Sequence, residues 1–174
     1  MILLYKGVSA MSRLIRWMNF SPYSHASYVD VDEYTEFEAA MGQGVQSKAA
    51  FANHTPGTVV DLFDVTLSSG EADGLREFFN AELGQPYDYR GLLGFLARRR
   101  VENPTAWFCS ELVFAGFLTI RKPLLERIEA FKTYPGLLSY SPALKFVKTV
   151  TLGENHPCEV QESFVQRARA LGCL

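Results

Sequence analysis

The run LVFAGFLTI, Leu112 to Ile120, restricts the fold more than any other stretch of the chain. Read as a helix, it sends apolar side chains in every direction around its axis and so has no face to offer to water. It falls far short of the ~18 residues needed to cross a bilayer, so it has to be buried within a protein core. A core that surrounds a helix needs layers on more than one side. The 174 residues, 48% hydrophobic and 21% charged, suffice for one such core and leave little for a second full domain. A single domain over 1–174 is expected, with 153–174 as a C-terminal extension of unassigned role.

The surrounding segments alternate between helical and extended periods. SAMSRLIRWMNF spaces Met11, Leu14, Ile15 and Met18 as one helical stripe, with Arg13 and Arg16 on other faces. HASYVDV and YTEFEAA read as two extended segments joined by a tight turn at Asp32 and Glu33. GQGVQSKAAFANHTPG reads as a loop, rich in Gly, Asn and Pro, and TVVDLFDV as a strand. SSGEADGLREFFNAELG opens with Ser68 three residues before Glu71, the spacing of a capping box, and closes on Gly84. DYRGLLGFLARRR predicts a further helix, and Asn103-Pro104 a break before the helix that contains Cys109. Beyond Pro123 come LLERIEAF, a turn at YPGLLSYSP, a strand at LKFVKTVTL and an amphipathic terminal helix at CEVQESFVQRARALGCL. This mixture predicts an α+β domain.

Charge and cysteine usage narrow the function classes. The formal charge of -2, from 17 basic and 19 acidic residues, provides no global field toward nucleic acid or an anionic membrane. Arg98, Arg99 and Arg100 read as a solvated helix end. Three cysteines, an odd set, do not resemble the disulfide framework of a small secreted domain, so Cys158 and Cys173 are expected as free thiols in a reducing compartment. The apolar part of MILLYKG is much shorter than a signal h-region, and Arg13 and Arg16 follow it instead of preceding it. A cytoplasmic location is expected, with no transmembrane segment; delivery to the cell envelope by another route stays open.

Cys109 heads the apolar helix, and two readings compete for it. Free cysteine is commonly buried as a small hydrophobe, yet a thiol near a helix N-terminus and an imidazole becomes a thiolate and a nucleophile. Glu111 is two residues away, on a different helical face, so a base must come from elsewhere. His54 in NHTPG and His156 in ENHPC lie in turn-like settings. His25 begins a strand instead. With the turn at Asp32 and Glu33, His25 faces Ala40, and alternation puts His25, Ser27, Glu36, Glu38 and Ala40 on one face. Glu38 is then diagonal to His25 and able to orient the imidazole, with Glu36, nearer the turn, the weaker candidate. A slip of one residue would separate the pair.

SPYSHASYVD, FEAAMGQGV, LGQPYDYRGLLGF, WFCSELV and SYSPALKF, in that order, resemble the circularly permuted NlpC-type papain-like cysteine peptidases, YiiX-like branch. The resemblance runs from about Tyr5 to Phe146; the segment after Leu152 has no counterpart. It implies a permuted papain-like fold, an antiparallel sheet or small barrel packed against a central helix bearing the cysteine. It implies Cys109 as nucleophile, His25 as general base, Glu38 as third polar residue and Tyr87 as a phenol beside the cysteine. Ser110 and Glu111 would fix the helix. The activity implied is thiol-dependent hydrolysis of a peptide or isopeptide amide, such as a cell-wall stem peptide, with no metal or other cofactor and no nucleic-acid partner. The rivals are a lipid acyltransferase or thiol phospholipase using the same acyl-enzyme chemistry, and an inactive papain-like module that binds a peptide.

Overall fold

The computed structural model describes residues 1–89 and 106–153. The expected helix over DYRGLLGFLARRR, apart from its first two residues, the Asn103-Pro104 break, the terminal helix, His156, Cys158 and Cys173 lie outside the described residues.

The apolar N-terminus becomes the strand at the centre of the molecule. β1 (Ile2–Lys6) is apolar on both sides of its pleat, and each side enters a different core: Ile2 and Leu4 one, Leu3 and Tyr5 the other. It pairs antiparallel with β2 (His25–Asp30) on one edge and β5 (Val59–Asp64) on the other. With β3 (Thr35–Ala40), β4 (Gly44–Ala49) and β6 (Lys145–Thr151), the sheet has six strands in the order β4-β3-β2-β1-β5-β6. The architecture is a mixed α+β domain built on an antiparallel sheet.

One sheet face carries the larger core. Ala26, Tyr28, Phe37 and Ala39 point from it into α2 (Ser69–Ala81) and α3 (Cys109–Thr119). Phe79 of α2 stacks on Tyr28 with ring centroids 4.9 Å apart, and Phe117 of α3 meets the same tyrosine edge-on at 6.1 Å. Leu112, Val113, Phe114 and Phe117 are all fully buried, as a helix without a polar face requires. Gly116 lets α2 approach closely, since a Cβ there would lie 3.1 Å from Phe78 and Phe79. The opposite face holds Met1, Leu3, Tyr5, Val29, Val60 and Leu62 under Phe51 and Leu152.

Local signals translate directly in several places. Ser68 and Glu71 form the capping box of α2, and β5 and β6 form where their composition predicts. The β2–β3 turn spans four residues rather than two, but Tyr28↔Phe37, Val29↔Glu36 and Asp30↔Thr35 keep the expected register. α1 (Ala10–Met18) starts at Ser9, whose hydroxyl accepts from Ser12 N at 3.1 Å, yet only Ile15 of its stripe is fully buried. After α3 come a single 3-10 turn, Ala130–Lys132, and α4 (Pro135–Leu138).

The loop expected at GQGVQSKAAFANHTPG is corrected: its first part is strand β4. Gln46 lies opposite Glu38 and Lys48 opposite Glu36 in the ladder. The Gly, Asn and Pro content that reads as a loop lies around a stretch whose Gln46 and Lys48 both bond to Glu38. Among the described residues no helix is long and apolar enough to cross a membrane.

Candidate active site

Cys109 is the first residue of α3 and is 1% exposed. Two neighbours fix the helix end. Glu111 reaches back to accept from the backbone N–H of Phe108 at 3.4 Å, as the third residue of a capping arrangement does. Ser110 donates to the carbonyl of Thr133 at 2.9 Å and ties α3 to the 3-10 turn.

The GQPY segment connects this helix to the sheet. Gly84 N–H donates to Val45 O at 2.9 Å, and Val45 N–H donates to Gln85 O at 2.8 Å. Two residues on, Trp107 N–H donates to Pro86 O and Asp88 N–H to Trp107 O, both at 3.0 Å. Tyr87 is thereby held beside the residues that lead into Cys109, and its ring lies 5.9 Å from that of Phe108. Burial pushes its phenol well above the ordinary value, and negative charge on Cys109 pushes it further. Tyr87 keeps its proton and is a hydrogen-bond donor.

His25, the first residue of β2, presents Nε2 to Glu38 Oε2 at 2.7 Å, so Nδ1 is the nitrogen left for a thiol. Burial alone would lower its pKa, but the charge and hydrogen bonding of Cys109, followed by those of Glu38, overcome this and push it up to about 10. Glu38 is held well below the carboxylate range: burial opposes ionisation, while His25 and Lys48 outweigh it. The other carboxylate oxygen accepts from Gln46 Nε2 and Lys48 Nζ, each at 2.7 Å. The diagonal His25–Glu38 relationship expected from strand pairing is thus present. Glu36, the weaker candidate, bonds instead to Tyr5 O–H at 2.5 Å and Phe51 N–H at 2.8 Å.

Three contributors escape a reading of the sequence. Gln46 and Lys48 sit in the segment taken for a loop; their two-residue spacing was the available signal. His54, expected in an unfixed turn, is stacked on Tyr5 with centroids 4.1 Å apart and lies 3.5 Å from Glu36 Oε1. Lys48 Nζ donates to its Nε2 at 3.0 Å. Glu36, Glu38 and His54 place potential ligand atoms within 4.8 Å of one another, but the Lys48 ammonium already bridges Glu38 and His54.

A cleft of about 350 Å³ opens over His25, Glu38 and Tyr87. Gln43, Gln46, Lys48, Asn53 and His54 form a polar wall; Val8, Met11 and Met41 form an apolar one. The imidazole, the oriented carboxylate and the protonated phenol therefore line one opening, and the thiol of Cys109, 1% exposed, is buried and interacts with the imidazole.

No family model matches the chain, and no curated protein matches it. Among solved structures it is similar to the metalloprotein yiiX from Escherichia coli O157:H7, at 17% identity and a TM-score of 0.59, over 86% of this chain and 96% of that one. The shared feature at that identity is the fold, which is YiiX-like.

Proposed function

We propose that the chain is a thiol-dependent hydrolase, a cysteine peptidase or amidase of permuted papain-like architecture. It cleaves a peptide or isopeptide amide through an acyl-enzyme on Cys109, with peptidoglycan stem peptides the favoured substrate class. The observation that carries this reading is geometric: His25 is bonded through Nε2 to Glu38 at 2.7 Å and interacts with Cys109, which stands at the N-terminus of α3. A helix N-terminus and an imidazole oriented by a carboxylate are the surroundings in which a cysteine acts as a nucleophile, through a thiolate–imidazolium pair.

In that pair the thiolate of Cys109 attacks the amide carbonyl, forming a C–S bond and moving the carbonyl electrons onto oxygen. Backbone N–H groups in the first turn of α3 and the O–H of Tyr87 stabilise the oxyanion. Collapse breaks the C–N bond, and the leaving amine takes the proton of His25. Neutral His25 then removes a proton from water as the water oxygen attacks the thioester. The acid leaves, and the thiolate and imidazolium are restored. Glu38 holds the ring in position throughout and stabilises its charge. Gln43, Gln46 and Asn53 in the cleft lining offer hydrogen-bond partners to a peptide, beside the apolar Val8, Met11 and Met41.

YiiX is named as a metalloprotein. In the present chain the cluster of Glu36, Glu38 and His54 does not fit a metal ion while the Lys48 ammonium occupies it, and no step runs through one.

Hydrolysis of a stem peptide and of a phospholipid, by the wild type and by Cys109→Ala, tests the reading. Amine release from the peptide should fall at least about 10³-fold in the variant, and iodoacetamide should label Cys109 much faster than Cys158 and Cys173. Fatty-acid release would instead favour the acyl-transfer class. Equal, sluggish labelling without turnover would leave a binding module.

A further inference from the structure

α1 leaves most of its apolar side in water. At about 100° per residue, Ile15, Met18, Leu14 and Trp17 fall within an arc of less than half the helix, with Arg13 just beyond its Trp17 edge and Arg16 on the opposite side. Ile15 faces the core, but Leu14 is 42% and Trp17 70% exposed. The chain then holds Phe20 90% exposed at a φ of 47°, a conformation that non-glycine residues rarely adopt. Tyr140, 77% exposed, lines the same shallow cleft as Phe20. Phe20 and Tyr140 therefore share one cleft, and Phe20 is tied to the end of α1 by its N–H to Trp17 O at 3.3 Å.

The charge around them says what covers this side. Residues 7–29 contain Arg13 and Arg16 and no acidic residue, so this stretch is cationic although the whole chain carries -2; Lys6, just before it, is paired with Asp61 at 2.7 Å. A second copy docked about a two-fold axis would bring its own Arg13 toward this one. An anionic bilayer matches both parts of the pattern: interfacial aromatic rings enter the headgroup boundary and Arg13 at their edge meets a phosphate. A nine-residue helix is too short to span, so it would lie on the surface. Met11, Ser12 and Ile15 of the same helix line the cleft over His25, so docking here sets the cleft beside the bilayer. We propose that α1, Phe20 and Tyr140 form a docking face for an anionic membrane surface. This goes beyond the hydrolase reading and holds whether or not Cys109 turns over an amide.

Vesicle sedimentation of the full chain tests it, using mixed phosphatidylcholine and phosphatidylglycerol against phosphatidylcholine alone. Binding to the anionic vesicles is expected, at least about tenfold weaker in Trp17→Ala/Phe20→Ala and roughly fivefold weaker in Arg13→Gln. In a Trp107→Phe background Trp17 is the remaining tryptophan, and its emission should shift to the blue on binding. Cys109→Ala should bind as the wild type does, which separates this face from the catalytic proposal. No binding to anionic vesicles, or binding indifferent to Trp17 and Phe20, overturns the proposal. So does a dimer in sedimentation velocity that Trp17→Ala dissolves, because the face is then covered by a second copy.

Discussion

His25 is the residue at which a pH measurement is most informative. Its pKa is raised from 6.5 to about 10, so the interactions that favour its charged form are fully present below pH 6.5 and are lost as pH rises through about 10. Two effects follow from that sign. Amide turnover should fall along an alkaline limb centred near pH 10, where the leaving amine loses its proton donor. The stability advantage of the wild type over His25→Gln should shrink between pH 6.5 and pH 10, read as the difference in Tm across that window. An alkaline limb close to pH 6.5 would mean that neither Cys109 nor Glu38 holds the proton on the ring.

At the scale of elements, the turn into β4 determines where Tyr87 stands. Gly44 has a φ of 78°, and a Cβ there would fall 2.3 Å from the carbonyl oxygen of Gln85. That carbonyl accepts from Val45, and the next residue, Pro86, accepts from Trp107 just ahead of Cys109. Gly44→Ala should therefore cost about 2–4 kcal/mol in denaturant unfolding and also reduce turnover, by displacing the phenol. Gly57 provides the control, since it has a φ of 84° with nothing within 4 Å of a Cβ. Gly57→Ala should cost only the backbone term, about 1–2 kcal/mol, and leave turnover unchanged. Equal effects of the two substitutions would show that the contact with Gln85 is unimportant.

Across the whole molecule, a buried charge network joins β1, β3, β4 and the loop carrying His54 behind the Cys109–His25 pair. Glu36 and Glu38 are both buried, and Lys48, 8% exposed, is the lysine that reaches Glu38. Lys48→Met removes the cation and leaves the two carboxylates facing each other, so a loss of about 3–5 kcal/mol is expected in urea unfolding. The deficit should narrow as pH falls, because protonating either carboxylate relieves the repulsion. A loss under about 1 kcal/mol, flat with pH, would mean that water screens the pair.

Features set by near neighbours in the chain were legible in the sequence. The Ser68–Glu71 capping box, the apolar helix after Glu111 and the β2–β3 register each follow from residues within one turn or one hairpin, so periodicity and spacing sufficed for them. That register alone placed Glu38 diagonal to His25. The closeness of Cys109 to His25 was implied by family resemblance, since no local pattern links a helix head to a strand so far back in the chain. Tertiary structure alone decided the rest. β4 is a strand that pairs with β3 and brings Gln46 and Lys48 onto the buried carboxylate of Glu38, and His54 is fixed between Tyr5 and Glu36. The stripe on α1 was readable as apolar, but how much of it meets the core depends on surfaces contributed from elsewhere in the chain. Whether a polar segment pairs or an apolar face stays bare is a property of what packs against it, and that is determined only when the chain has closed on itself.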